Sequence, residues 1–97
     1  MVIIVKKLIS SCDTNEQGDV LYAEIRRVLD RGEGATVDFS GILYATSSFV
    51  NSALVPLLDA MTLDAVKSRV RFRGTLPAVA DMIRSRLTFE ASRSHAA

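Results

Sequence analysis

Ninety-seven residues with a hydrophobic share of 48% suffice for one folded core, are too few for two, and exclude a disordered chain. A net charge of +1 gives no overall electrostatic drive toward nucleic acid, an anionic membrane or an acidic substrate. The single cysteine, Cys12, cannot close an internal disulfide, so the chain needs no oxidising compartment.

The run 2–8 is rich in β-branched residues and reads as a first strand. Lys6 and Lys7 follow its apolar residues directly, whereas a signal peptide carries its basic residues first. No segment approaches the ~20 apolar residues that span a bilayer. A cytoplasmic protein without membrane insertion is therefore expected. A polar loop at 10–18 leads into a helix at 19–31, where Leu21, Ile25, Val28 and Leu29 share one stripe. Gly32 supplies its left-handed stop.

Residues 35–39 form a second strand. The central helix is expected at 47–61, burying Phe49, Val50, Ala53, Leu54, Leu57 and Met61, with Pro56 as a kink. A third strand follows at 69–73. The last helix, at 77–87, has Thr75 as candidate cap, Pro77 in its first turn, and Val79, Met82, Ile83 and Leu87 in the core. The stretch 89–97 has no periodicity and is expected to be a disordered tail.

Strands alternating with helices predict a single α/β domain, a sheet of about three to five strands with helical crossovers. Polar and apolar residues alternate in 35–39 and again in 69–73. A strand covered on both faces would be almost continuously apolar, so one sheet face is expected to be partly open to water or to a partner.

Enzymatic chemistry finds little to build on. The only histidine, His95, lies in the tail, away from any candidate nucleophile that would need it within hydrogen-bond reach. There is no nucleophile elbow, phosphate-binding glycine loop, dinucleotide fingerprint or zinc spacing of Cys and His. Cys12 reads as a bystander or a reactive thiol. Arg69, Arg71 and Arg73 would share one strand face, as an anion patch or as charges that keep an edge strand from pairing.

Two polar motifs stand out. Asp38-Phe39-Ser40-Gly41 ends the second strand, where Asp38 is a turn cap or a site residue. Thr46-Ser47-Ser48 opens the central helix. One hydroxyl suffices to cap a helix, and three in a row exceed that need. A phosphate on Ser47 would add about 1.5–2 negative charges at the positive end of a helix dipole, changing the surface while sparing the fold.

These residues resemble the STAS domain of anti-sigma factor antagonists and of sulfate-transporter cytoplasmic tails. Asp38-Phe39-Ser40-Gly41 is similar to the strand end of that family, and Ser47-Ser48 match its paired serines. The version here, Thr46-Ser47-Ser48-Phe49-Val50-Asn51, is closer to the STAS-like family once catalogued as a domain of unknown function. The resemblance covers about residues 2–88, including a late basic strand. Thr46 stands where the antagonist motif has aspartate, and Phe49 where it has glycine.

The resemblance implies a non-catalytic module without cofactor or metal, whose partner is a histidine-kinase-like ATP-binding regulator, an anti-sigma factor or serine kinase. It places phosphorylation on Ser47 and partner binding on Asp38, Thr46, Ser47, Ser48, Phe49 and Asn51. Phe49 is an aromatic anchor in that reading and a core residue in the alternative. The competing function is a constitutive scaffold or self-associating domain. An anion or nucleotide sensor is a third.

Overall fold

A computed structural model describes residues 1–96, with side chains described as far as Arg93. Among the described residues the sheet has three strands, β1 (Val2–Ile4), β2 (Ala35–Asp38) and β3 (Val70–Arg73), in the order β1-β2-β3 and all parallel. Helices α1 (Val5–Leu8) and α2 (Asn15–Asp30) lie between β1 and β2. Helices α3 (Ser47–Ala53) and α4 (Leu63–Arg69), joined through a 3₁₀ segment at Val55–Asp59, lie between β2 and β3, and α5 (Pro77–Ala96) follows β3. This is the expected α/β architecture.

The register aligns Ile3, Val37 and Phe72 on one sheet face. Ile3 and Val37 are buried there, and Phe72 packs half-buried against Phe39 with ring centroids 6.2 Å apart. The opposite face carries Val2, Thr36 and Arg71 in one row and Ile4, Asp38 and Arg73 in the next. Val2 and Ile4 are exposed, as are Arg71 and Arg73, whereas Thr36 is half-buried and Asp38 buried, so the face that alternation predicted to be partly open is partly open.

All four stripe residues of α2 are buried, and Gly32 ends that helix at φ 81°. Phe39, Phe49, Leu21, Ile25, Leu54 and Leu57 are the largest fully buried side chains. Burial of each such side chain stabilises the fold by roughly 1.5–3 kcal/mol. In α5, Val79, Ile83 and Leu87 reach the core, while Met82, like Met61 before it, is only half-buried.

Several boundaries differ from expectation, each for a local reason. The first strand stops at Ile4, where pairing with β2 ends at Asp38; Val5 turns inward and opens one helical turn that leaves Lys6 and Lys7 outside. Helix α2 starts four residues before the expected Asp19, because Thr14 and Gln17 form a reciprocal capping box. Gly18, expected in a loop, lies buried in that first turn. A Cβ there would come within 2.6 Å of the Phe49 carbonyl oxygen and 2.7 Å of Ser52 Cβ, so its bare backbone lets α2 and α3 touch.

The central helix does not run to Met61. Pro56 has no N–H to donate, and the α-helix ends at Ala53 with a 3₁₀ segment continuing to Asp59. The chain then bends by 110° into α4, an unexpected helix whose N-cap Thr62 accepts from the Ala65 amide at 3.2 Å. Arg69 belongs to α4 rather than to β3, and its guanidinium bonds the Leu29 carbonyl at 3.0 Å. Only Arg71 and Arg73 therefore remain on the open face. Thr75 donates to the Arg73 carbonyl at 3.3 Å, a bond to the strand end.

Helix α5 continues through most of the stretch expected to be a disordered tail. Arg86 and Arg93 both pair with Glu90, at 2.7 and 3.3 Å, and both guanidinia lie over the Phe89 ring. Such pairs one turn apart favour helix without any apolar stripe. The expectation about His95 falls on a side chain outside the described residues.

Candidate functional site

The two polar motifs sit at the two ends of the loop 39–46. At its start, Asp38 is 9% exposed. Its Oδ1 accepts from the Ser40 amide at 2.8 Å, and its Oδ2 accepts from Arg73 Nε at 3.2 Å. The Ser40 hydroxyl and amide, and after them the Arg73 guanidinium, hold its carboxyl below the usual carboxylate range. The Phe39 amide donates to the Arg73 carbonyl at 2.9 Å, so side chain and backbone together tie the ends of β2 and β3. A Cβ at Gly74, where φ is 64°, would stand 2.2 Å from Ser40 Oγ and 2.9 Å from Asp38 Oδ1. Asp38 thus bonds Ser40 and Arg73 rather than any residue of 46–51. The site reading of Asp38 gives way to a structural one, because both carboxylate oxygens are occupied holding the sheet corner.

At the far end of the loop, Thr46 is the N-cap of α3. Its Oγ1 accepts from the Phe49 amide at 3.2 Å and donates to the Asp13 carbonyl at 3.1 Å. The Thr46 amide in turn donates to the Cys12 carbonyl at 3.0 Å. Threonine therefore carries the capping role alone. Ser47 and Ser48 are exposed, and neither side chain hydrogen-bonds another described residue.

Two other expected partner-binding residues fare differently. Phe49 is fully buried, out of reach of a partner, because position three of α3 belongs to the hydrophobic core, on a helix that packs against α2. Asn51 is exposed, but its Oδ1 accepts from Arg86 Nε of α5 at 2.9 Å. Neighbouring Ser52 donates to Asn15 Oδ1 at 3.1 Å, joining α3 to the start of α2.

Leu43 and Tyr44 were not among the expected site residues, and they are 75% and 54% exposed just ahead of the hydroxyl pair. The signal available in sequence was faint: three large apolar residues, Ile42, Leu43 and Tyr44, between Gly41 and Thr46, outside any helical or strand period. The Tyr44 hydroxyl donates to Asp13 Oδ2 at 3.2 Å, and the charge of Asp13 pushes the phenol above its ordinary value. Asp13 also accepts from Ser11, while its own amide donates to Gln17. The loop 11–14 thereby braces the loop 43–46, and the rim formed by Leu43, Tyr44, Ser47 and Ser48 rests on a hydrogen-bonded base. Cys12, inside that base, is 1% exposed with a thiol pushed up to about 11 by burial and by Asp13, so the bystander reading holds.

Among the described residues no cluster of His, Cys, Asp and Glu could hold a metal ion, and no single helix is long and apolar enough to cross a membrane. An exposed aliphatic, an exposed aromatic and two unbonded hydroxyls, all within the run 43–48, can contact another protein. No curated protein and no solved structure matches the chain. A family model described as a STAS-like domain of unknown function (DUF4325) matches residues 17–80, from the first turn of α2 to the first turn of α5. The expected span of 2–88 reaches beyond that match at both ends. With well over half of its length matched, the chain belongs to this STAS-like family.

Proposed function

We propose that this chain is a non-catalytic, cytoplasmic protein-interaction module that regulates by partner switching, as an anti-sigma factor antagonist does. Its partner is a histidine-kinase-like ATP-binding regulator, either an anti-sigma factor or a serine kinase. Docking uses Leu43 and Tyr44 as apolar contacts and Ser47 and Ser48 as the polar centre. Phosphorylation of Ser47 then inserts about 1.5–2 negative charges into that contact and releases the partner.

One observation carries this reading. Ser47 and Ser48 are exposed and unbonded, while the adjacent Thr46 alone satisfies the Phe49 amide. A modification of Ser47 therefore alters the surface without removing the cap. Membership of the STAS-like family supports the same reading.

The test is to purify the histidine-kinase-like ATP-binding proteins of the source organism and assay each with the chain, with and without ATP and magnesium. A complex with one of them, and a single added phosphoryl group that Ser47→Ala abolishes, is expected by intact-mass analysis. Absence of both with every such protein overturns the proposal. The exposed Val2 and Ile4 on the open sheet face favour a second reading, a constitutive self-associating scaffold. That reading predicts concentration-dependent dimers and unphosphorylated protein from native cells under every growth condition.

A further inference from the structure

On the side of the molecule defined by β3, a groove of about 440 Å³ runs between α4 and α5. Val66, Val70, Phe72, Ile83 and Leu87 give it an apolar lining. Lys67, Arg71 and Arg84 also line it, and no aspartate or glutamate does among the described residues. Arg84 pairs with Asp81 at 3.0 Å in a solvent-exposed contact, whereas Lys67 and Arg71 have no ion pair among the described residues.

The groove follows an unpaired strand edge. β3 is the last strand in the sheet order, with β2 on one side only. Its Arg73 carbonyl accepts from Phe39 and so points toward β2. Backbone groups of successive residues in a strand point to opposite sides, so the N–H and C=O of Phe72 face the groove. Main-chain donors and acceptors, an apolar lining and a cationic rim together form a receptor for an extended chain.

We propose that the outer edge of β3 binds an acidic extended peptide of a partner protein as an added strand. Its alternate apolar side chains fill the groove, and its carboxylates meet Lys67 and Arg71. A second copy of this chain is a poor occupant. Antiparallel pairing of β3 with itself, with both helix layers on one side, sets Arg71 opposite Arg71 or Arg73 of the other copy, and like charges directly opposed are destabilising. The same arginines that deter self-pairing select an acidic strand. This surface is separate from the Ser47 rim, and the inference does not rest on the switching proposal.

The experiment uses fluorescein-labelled peptides and the unmodified full chain, read by anisotropy. The probes are a Glu-Val-Glu-Val-Glu-Val peptide, its Lys-Val counterpart, and a Glu-Val version with alternate amides N-methylated. Expected is binding of the Glu-Val peptide at least about tenfold tighter than of the Lys-Val peptide, and loss of binding on N-methylation. A paired Lys67→Glu, Arg71→Glu variant should reverse the charge preference. In ¹⁵N NMR of the wild-type chain, the Phe72 amide should shift on peptide addition. Equal binding of the two charge types, insensitivity to N-methylation, or no binding of the Glu-Val peptide up to about 1 mM, which is ~4 kcal/mol of affinity, overturns the proposal. Dimerisation that protects the Phe72 amide in the absence of peptide would assign the edge to a second copy and also overturn it.

Discussion

Asp38 and Ser47 stand at opposite ends of one loop, each in a short polar motif, and the fold treats them in opposite ways. Asp38 is nearly buried and has both carboxylate oxygens bonded. Its neighbour Gly74 cannot gain a Cβ without striking that cluster. Ser47 is exposed and unbonded, beside a threonine that has already taken the helix cap. A polar motif engaged on every side holds backbone in place, so changing it changes the fold. One left unbonded can change its chemistry while the fold stays put. The motif Thr46-Ser47-Ser48-Phe49 crosses this divide within a single helical turn: cap, two free hydroxyls, core.

The largest break with the surface behaviour of Ser47 should come from Phe49, two residues away. Phe49→Ala empties a fully buried ring site and should cost about 3–5 kcal/mol, seen as a large fall in urea midpoint. A loss below about 1 kcal/mol would mean that the ring is not in the core. Gly74→Ala should follow, at about 1–3 kcal/mol, because it combines a left-handed backbone with a clash at Ser40 and Asp38.

Asp38→Asn sharpens the comparison through pH. The folded-state pKa of Asp38 lies below the ordinary value of 3.8, so its pairing stabilises the fold fully at pH well above 3.8. That contribution fades as pH falls below 3.8 toward the lowered folded value. The wild type should therefore lose midpoint on acidification more steeply than Asp38→Asn, and parallel acid limbs would remove Asp38 from the structural side. Thr46→Ala should be milder, about 1 kcal/mol, with faster hydrogen exchange at the Phe49 amide and rescue by Thr46→Ser.

Much of the architecture was legible because it rests on periodicity. The α2 stripe, the buried face of α3 and the alternation in β2 and β3 each have one dominant cause in side-chain spacing. Other features had no such signal. Helix α4 spans only Leu63–Arg69, too short for a clear stripe, and its cap Thr62 is easily taken for loop. The end of α5 is held by Arg86, Glu90, Arg93 and Phe89, which act through charge and cation–π contact. In the candidate site, Ser47 and Ser48 were readable from the surplus of hydroxyls, whereas the exposed placement of Leu43 and Tyr44 depends on how Tyr44 and Thr46 bond Asp13. The paired role of Asp38 depends on Arg73, 35 residues away, and no local pattern announces it.

Ser47→Asp, assayed for both stability and binding, tests the central claim most directly. The account predicts a urea midpoint within about 0.5 kcal/mol of wild type, as for an exposed surface position, together with an affinity for the ATP-binding regulator at least about tenfold weaker. Unchanged affinity, or a lost affinity accompanied by an equally lost midpoint, would contradict it.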